Sequence, residues 1–488
     1  MNSDYFELLQ ALLPETCLVC GALLVLFFDV LWAKHRSASR LSLAVMLGLI
    51  ALACAAYITI TAGSPGTRFG GVIMLDQMAL VSRVGVFALA GLTLALLPGL
   101  TRLRHSAEFV AIILFATVGF SVMTAANQLL LGFLGLELAS LSLYILAGFD
   151  KSRPESAEAA LKYYLLGGMS SAFLLFGFSL LYGLTGSIKL THIAAVLHQT
   201  SMTPLLAIAL VMVLVAFGFK AAAAPFHLWA PDVYQGAPAP SAALIASASK
   251  LAGFALFIRL LWPGLHDVAG SIATTSAPSG WLTIVAVISA ASLLLGNLGA
   301  LAQSNVRRLL AYSAIAHAGV MMLGLGVIVR AGNGPILYYA ITYGLATVGA
   351  FGVIAVVDAN GGCQRLTDLI GLHRRSPLLA GCLLIFILSL AGVPPLAGFF
   401  GKFSIFTAAL QLGGISGPAG WLALLAIAMS AIGLYYYLII LKQALIVKSP
   451  TDTAATIKVP LPAAIALLFA AALLVLLGVF PSPLLGLF

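Results

Sequence analysis

Residues 217–250 read FGFKAAAAPFHLWAPDVYQGAPAPSAALIASASK, and the stretch places two lysines and several prolines inside apolar sequence. Lys220 and Lys250 each lie within a run of about 20 mostly apolar residues, the length that a membrane helix needs. A lysine at the bilayer centre costs roughly 2.5–3.5 kcal/mol on insertion scales. Pro225, between the two lysines, removes a backbone donor and breaks a helix. This combination is typical of a site that moves ions or protons through a membrane.

The composition of the whole chain agrees with a membrane location. Of its 488 residues, 62% are hydrophobic and 8% are charged, whereas a soluble domain carries about 25% charged residues. We therefore predict an all-α polytopic membrane protein. The net charge of +9 does not indicate nucleic-acid binding, because the basic residues are dispersed among short loops. The five cysteines lack the spacing of a disulfide framework or an iron–sulfur site.

The apolar runs predict about fourteen transmembrane spans. Their ranges are 9–32, 41–62, 75–98, 107–125, 127–148, 157–185, 203–235, 239–262, 280–302, 307–329, 335–357, 377–411, 419–441 and 460–486. The separation of the fourth span from the fifth depends on two polar residues, Asn127 and Gln128. Fifteen of the 24 Lys and Arg residues fall in loops after odd-numbered spans, and four fall on the other side. This bias predicts that the odd loops are cytoplasmic and that both termini are periplasmic.

Two of the predicted spans are long and carry proline near their middle. Span 7 contains Pro225, and span 12 contains Pro394 and Pro395. Matching broken helices indicate a transport site built on internal repeats. Because the two spans are five apart, spans 4–8 and 9–13 are predicted to be two inverted five-helix repeats. The predicted domains are a three-helix N-terminal segment, the first repeat, the second repeat and a last span, at 1–105, 106–265, 266–445 and 446–488.

Four charged residues lie near the middle of predicted spans and are the core of the candidate site: Glu137, Lys220, Lys250 and Lys402. A Glu–Lys pair that forms and breaks would switch the protonation of the lysine, which suits lysine better than the permanently charged arginine. The alternative for Glu137 and Lys220 is a static buried salt bridge that fixes helix packing. That alternative leaves Lys250 and Lys402 unexplained, because one carboxylate cannot neutralise three lysines. The pattern favours a hydrated proton route.

His317 completes the candidate relay, and three further residues, Lys162, His227 and Tyr312, are secondary candidates. His317 lies mid-span and could relay a proton, although a core histidine bonded to a carbonyl fits equally well. His227 follows the helix break, where a relay role and loop bonding compete. Lys162 lies about one turn into its span, where snorkelling is the default and lining a proton uptake path is the alternative. Tyr312 lies in the same motif as His317.

Other polar residues are expected to be structural. The run Tyr435–Tyr437 is interpreted as an aromatic belt at the membrane surface. Arg83 and Asp76 are expected to pair near the outer surface. The chain has no dinucleotide fingerprint, Walker A loop, cysteine cluster or zinc spacing. We therefore expect no nucleotide, flavin, iron–sulfur or metal cofactor on the chain itself, so that a partner or an ion gradient must supply energy.

Four motifs together resemble one known family. The stretch 217–250, GLELASLSLYIL at 135–146, RRLLAYSAIAHAG at 307–319 and AGVPPLAGFFGKF at 391–403 resemble the antiporter-like subunits of proton-pumping NADH:quinone oxidoreductase, respiratory complex I. The resemblance covers nearly the whole chain. Within the family, PDVYQGAP and Lys402 resemble the subunit N branch, since subunit M carries glutamate where Lys402 lies. The wider family includes subunits of multisubunit cation/proton antiporters and of membrane-bound hydrogenases.

The resemblance implies a role for each of five residues. Glu137 and Lys220 match the ion pair of the family, and Lys250 matches its central lysine. His317 matches a residue that links two half-channels. Lys402 matches the terminal lysine, from which the proton leaves towards the outside. No position among these departs from the family pattern.

The expected function is therefore that of a proton-translocating membrane-arm subunit. The chain would be an enzyme only as part of the NADH:quinone oxidoreductase translocase, with FMN, iron–sulfur clusters and quinone in partner subunits. Its expected partners are other membrane-arm subunits and the lipid of the bacterial inner membrane. The alternative is a subunit of a sodium/proton antiporter or membrane-bound hydrogenase. A purely structural arm subunit is a third possibility, and it predicts that the lysines are dispensable.

Overall fold

A computed structural model describes residues 2–31, 37–61, 65–98, 105–200, 202–276, 280–447 and 456–487. Most of these residues are helical, so the predicted all-α fold is confirmed. Some basic residues of the charge count lie outside the described residues, namely Lys34, Arg36, Arg102, Arg104 and Lys448.

The N-terminal part contains four helices and a small hairpin. The elements are α1 (Asn2–Ala11), α2 (Leu13–Leu31), α3 (Ser37–Thr61), β1 (Gly66–Arg68), β2 (Ile73–Leu75) and α4 (Gln77–Ala95). The strands pair antiparallel, with Thr67 opposite Met74. Asp76 begins α4 as its N-cap and accepts the Ala79 N–H at 2.8 Å, which satisfies one of the free donors of the first turn.

The middle of the chain contains eight helices and a short 3-10 turn. The helices are α5 (Ser106–Ala125), α6 (Leu129–Ala147), α7 (Pro154–Thr185), α8 (Leu190–Leu197), α9 (Pro204–Ala221), α10 (Trp229–Gly236), α11 (Ala239–Ala246) and α12 (Ala248–Leu265), and the 3-10 turn is His266–Val268. The predicted separation of spans 4 and 5 is present between α5 and α6. At Asn127 the backbone N–H donates to the Val72 carbonyl at 2.9 Å and not to a carbonyl of α5, and the side-chain amide donates to the Gly71 carbonyl at 2.9 Å.

The remainder of the chain is again helical. Its helices are α13 (Trp281–Leu301), α14 (Val306–Gly326), α15 (Ile328–Ala331), α16 (Gly334–Ala359), α17 (Leu372–Arg375), α18 (Pro377–Ala391), α19 (Ala397–Gly413), α20 (Pro418–Leu445), α21 (Leu461–Val479) and α22 (Ser482–Leu485), with a 3-10 turn at Leu366–Leu369. Within the described residues, 13 helical segments are long and apolar enough to cross a membrane. The remaining predicted span, span 12, brings the number to fourteen. It is not among the 13 because its first half, α18, is short, and the chain continues past a break as α19.

The two predicted broken helices are built alike. In α9 the N-cap is Thr203 and the chain turns left-handed at Ala222, with φ 56°. In α18 the N-cap is Ser376 and the chain turns left-handed at Gly392, with φ 84°. In each case a proline follows the N-cap, where its missing N–H costs nothing. The division into inverted repeats and the domain boundaries stay predictions.

A third interruption was not predicted. The sequence indicated one continuous span at 239–262, but α11 and α12 separate at Ser247. The Ser247 hydroxyl donates to the Ala243 carbonyl at 2.6 Å, a local bond that competes with regular helix hydrogen bonding. Lys250 therefore lies in the first turn of α12 and not in the middle of an uninterrupted helix.

The centre of the bundle is formed by the α11–α12 segment, α14 and α16, which are buried along nearly their whole length. The peripheral helices α2, α3 and α20 leave a large part of their surface exposed, as expected of lipid-facing helices. Close packing depends on small residues. A Cβ added at Gly296 of α13 would lie 2.5 Å from the backbone nitrogen of Ala316 in α14.

The substitution Gly296→Ala is expected to destabilise the protein by about 1–3 kcal/mol, because the new methyl group forces α13 and α14 apart. The measurement is the apparent melting temperature of the purified protein in detergent. The matched control is Gly381→Ala in α18, where an added Cβ meets nothing within 4 Å. Equal melting temperatures for the two variants would contradict this view of the α13–α14 contact.

Candidate functional site

Lys220 occupies the last turn of α9, two residues before the left-handed Ala222. Its side chain is buried, and its Nζ donates to the Ser140 hydroxyl of α6 at 3.2 Å. The carbonyl end of a helix carries partial negative charge, which favours a cation there. The helix break therefore places Lys220 where its charge costs less than it would in an intact helix.

Glu137, the predicted partner of Lys220, is half-buried on α6. Its carboxylate accepts a hydrogen bond from the Ser171 hydroxyl of α7. In the part of the chain that the structure describes, Glu137 and Lys220 make no direct ion pair. Their hydroxyl partners, Ser140 and Ser171, line one small cavity, so the structure brings the two charges near each other without closing the pair.

A small cavity of about 10 Å³ lies beside Lys220. Its lining includes the side chains of Ser140, Tyr144 and Ser171. A cavity of this size with polar walls holds about one water molecule. The surroundings of Lys220 are therefore compatible with hydration by a single water molecule.

Lys250 is fully enclosed in the centre of the bundle. Its Nζ donates to the Ala314 carbonyl of α14 at 2.6 Å and lies 5.1 Å from the centre of the Tyr343 ring of α16. The aromatic face attracts a cation in such a geometry. Neither contact supplies a formal negative charge, so Lys250 is held by neutral groups.

His317 lies one turn beyond Ala314 on α14, and two tyrosines bind it. Its Nδ1 is 2.6 Å from the Tyr339 hydroxyl, and its Nε2 is 2.9 Å from the Tyr437 hydroxyl. The Tyr437 hydroxyl also shares a short hydrogen bond with Ser313. Tyr343, the ring beside Lys250, also packs against His317 with ring centres 4.8 Å apart. Both nitrogens of the imidazole thus have hydroxyl partners, an arrangement suited to passing a proton.

The predicted aromatic belt at Tyr435–Tyr437 was wrong for two of its three members. Tyr435 is 63% exposed, but Tyr436 and Tyr437 are buried. Consecutive residues on a helix point about 100° apart, so one residue of three can face lipid while the others face the core. Tyr436 donates to the Asn297 side chain at 3.0 Å, and Tyr437 binds His317. Sequence alone offered no signal for these partners.

Lys402 lies on α19, after the second helix break, and reaches back to α18. Its Nζ donates to the carbonyls of Leu390 and Ala391, each at 3.0 Å, which are the last residues of α18. Gly392 leaves room for this contact, since a Cβ there would lie 3.0 Å from the Lys402 side chain. Lys402 also lines a second cavity of about 10 Å³ together with His317 and Tyr437.

The secondary candidates lie outside this chain of contacts. Lys162 is bound by Glu158 and Asp232, each at 2.6 Å, and Asp232 also binds Arg308 at 2.5 Å. Lys162 is therefore part of a surface ion network that ties α7 to α10 and α14. His227 is buried in the break between α9 and α10, and Tyr312 packs against Gly299 of α13.

The expected Asp76–Arg83 pair was wrong. Asp76 binds Arg259 of α12 at 2.5 Å, and the buried Arg83 binds Glu15 of α2 at 2.8 Å. Both pairs join helices that are distant in sequence, so proximity along the chain was a poor guide. Among the described residues, no group of three or more His, Cys, Asp or Glu side chains could hold a metal ion.

The fold and the buried lysine chain define a class, the antiporter-like multi-pass membrane subunits. A family model described as NADH:quinone oxidoreductase/Mrp antiporter, TM, matches residues 126–432. NADH-quinone oxidoreductase subunit N 2 of Acidobacterium capsulatum is 46% identical over 98% of both chains. Subunit N of Heliobacterium modesticaldum is 37% identical over 98% of this chain and 97% of its own. The chain belongs to the NADH-quinone oxidoreductase subunit N family.

Solved structures agree with this assignment. A chain of respiratory complex I from Thermus thermophilus with bound aureothin superposes with a TM-score of 0.79 at 34% identity, covering 97% of this chain and 98% of that one. A chain of the Mrp complex from Dietzia sp. DQ12-45-1b has a TM-score of 0.80 at 21% identity, covering 97% and 96%. At 21% identity, the similarity to the Mrp chain shows a shared fold. The chain is a multi-pass protein of the bacterial inner membrane.

The substitution Tyr437→Phe is expected to lower proton pumping by about tenfold or more, because it removes the hydroxyl that joins His317 to Ser313 in a buried site. Pumping is measured as acidification of inverted membrane vesicles on addition of NADH. The control is Tyr435→Phe, which removes an exposed hydroxyl two positions away on the same helix. Unchanged pumping by assembled Tyr437→Phe would exclude this tyrosine from the route.

Proposed function

We propose that this chain relays protons through Glu137, Lys220, Lys250, His317 and Lys402 while redox chemistry in partner subunits supplies the energy. The observation that carries the proposal is the bonding of the three buried lysines. Each ammonium group is held by a hydroxyl or by carbonyl oxygens and by no carboxylate among the described residues. A lysine buried only for packing is expected to have an acidic partner, since an uncompensated charge is costly.

The spacing of these groups supports a continuous lateral route. Lys250 and His317 share Tyr343 as a neighbour, and Lys250 binds the backbone one turn before His317. His317 and Lys402 line one cavity with Tyr437. The proton would pass from Lys220 and Lys250 to His317 and leave from Lys402. The cavities beside Lys220 and Lys402 each have the volume of about one water molecule, which could bridge neighbouring groups of the route.

The repeat prediction gains support from the two helix breaks. In both, an ammonium group lies at the carbonyl end of the first half-helix, namely Lys220 at the end of α9 and Lys402 at the end of α18. We propose that 106–265 and 266–445 are two inverted repeats that each contribute one half of the route, flanked by segments 1–105 and 446–488. The broken half-helix supplies partial charge for an ion, as in other transporters with discontinuous helices.

The orientation and the cofactors follow from the proposed assembly. The bias of basic residues towards one set of loops supports an orientation with both termini on the periplasmic side. Lys162 then faces the cytoplasm, where its ion network with Asp232 and Arg308 lies near the proposed uptake side. FMN, iron–sulfur clusters and quinone would be bound by partner subunits, and this chain would carry protons alone.

Lys220→Ala and Glu137→Ala are each expected to reduce NADH-driven proton pumping by about tenfold or more while the complex still assembles, because a positioned proton-transfer group contributes at least that factor. The assay is acidification of inverted vesicles, with assembly checked by native gel electrophoresis. Lys442→Ala, which removes an exposed lysine of α20, is the control. Normal pumping by both assembled variants would refute the relay.

Lys402→Glu is expected to retain partial pumping. The side chain remains ionisable, but an ionised carboxylate cannot donate hydrogen bonds to the carbonyls of Leu390 and Ala391 as the ammonium group does. The check is a comparison with Lys402→Ala, which is expected to pump at a lower rate than Lys402→Glu. A rate for Lys402→Glu below that of Lys402→Ala would show that charge sign, and not proton exchange, decides activity at this site.

Identification of the partner subunits distinguishes a redox-driven pump from a sodium/proton antiporter. Purification of the tagged chain in mild detergent is expected to recover NADH- or quinone-binding subunits. Recovery of antiporter subunits alone, together with restored growth of a sodium-sensitive host, would support the alternative function instead.

A further inference from the structure

Each charged group of the Glu137–Lys220 pair is hydrogen-bonded to a serine. Ser171 of α7 donates to the Glu137 carboxylate, and Ser140 of α6 accepts from Lys220 Nζ at 3.2 Å. We propose that Ser171 and Ser140 are positioning residues that form a latch, which keeps the ion pair open until the relay requires it to close. This inference rests on the proposed relay.

The placement of the four groups makes such a latch possible. Glu137 and Ser140 are three residues apart on α6, so they lie on neighbouring positions of one helix face. Lys220 comes from α9 and Ser171 from α7, and α7 packs against both of the other helices. Each charged group therefore has a hydroxyl on a neighbouring helix within reach, in addition to the opposite charge.

The chemistry of a hydroxyl suits a latch better than that of a second charge. A serine can donate to a carboxylate or accept from an ammonium group, so it partly replaces the missing counter-charge. Hydrogen bonds to charged groups are stronger than neutral ones but weaker than a closed buried ion pair. The open and closed states can therefore lie close enough in free energy for a neighbouring event to switch them.

Ser140 and Ser171 differ from other serines on the same helices because they bind the charged groups. Ser142 of α6 donates to the Leu138 carbonyl at 2.8 Å, and Ser156 of α7 donates to the Ala147 carbonyl at 2.8 Å. These two hydroxyls are bound to backbone and touch neither charged group. They provide matched controls for removing a buried hydroxyl from α6 or α7.

The opened pair leaves room for water. The cavity of about 10 Å³ is bounded by Ser140, Ser171 and Lys220, and it has the volume of about one water molecule. A water there would bridge the serine hydroxyls and the ammonium group while the pair is open. Closure of the pair would expel it, and the ammonium group would then keep its proton because a carboxylate stabilises it.

The test is made on the assembled complex in inverted vesicles. Ser171→Ala and Ser140→Ala are expected to reduce NADH-driven proton pumping by about threefold or more, whereas Ser142→Ala and Ser156→Ala pump normally. Ser171→Thr keeps the hydroxyl and is expected to restore most of the activity. A structural defect alone would not be corrected in this way.

A double variant separates positioning from packing. In a Glu137→Ala background Ser171 has no carboxylate to bind, so adding Ser171→Ala is expected to cause no further loss of pumping. A further loss similar to that of Ser171→Ala alone would overturn the latch, because the serine would then act independently of Glu137. If Ser171→Ala does not assemble, Ser171→Cys keeps nearly the same volume with a weaker donor, and normal pumping by that variant would likewise overturn it.

The latch proposal can be refuted without refuting the relay proposal. Loss of pumping in Lys220→Ala and Glu137→Ala, combined with normal pumping in Ser171→Ala and Ser140→Ala, would overturn only the latch. Normal pumping in Lys220→Ala and Glu137→Ala would overturn the relay and the latch together.

Discussion

Three buried ammonium groups without carboxylate contacts are the constraint on which the rest of the described structure depends. A charge in an apolar bundle needs oxygen atoms, and in a regular helix only the last turn has free carbonyls. Lys402 uses these directly, by donating to Leu390 and Ala391. Lys220 lies on the last turn of α9 itself. The breaks therefore supply helix ends for Lys220 and Lys402, whereas Lys250 donates to the Ala314 carbonyl within α14.

Close packing is the second requirement, because a loosely packed bundle would admit enough water to dissipate a gradient. The two cavities beside Lys220 and Lys402 are about 10 Å³ each, which is enough for single waters and too little for a continuous channel. Glycines such as Gly296 bring the backbones of neighbouring helices into contact around them. Proton transfer in such a site needs a rearrangement of side chains, so it can be controlled.

The sequence predicted the features that depend on local chemistry and missed those that depend on packing between helices. Lysines and prolines inside apolar runs are visible in sequence, so the spans, the two breaks and the charged candidates were found. The break at Ser247 was missed because serine is common in membrane helices and carries no strong helix-breaking signal. Tyr437, Ser171 and the partner of Asp76 were missed because their roles arise from contacts between distant helices.

The two helix breaks hold their lysines differently, and this difference gives the proposed route a direction. Lys402 is held by two carbonyls of its own broken helix, so its contacts within the described residues do not depend on a carboxylate. Lys220 needs Ser140 from another helix, on the face that also carries Glu137. In the proposed relay, a change in the surroundings of Glu137 would therefore act on Lys220 first, because both charges are bound through α6 and its serine. Lys402, bound to the carbonyl end of α18, would receive the proton through the cavity that it shares with His317 and Tyr437.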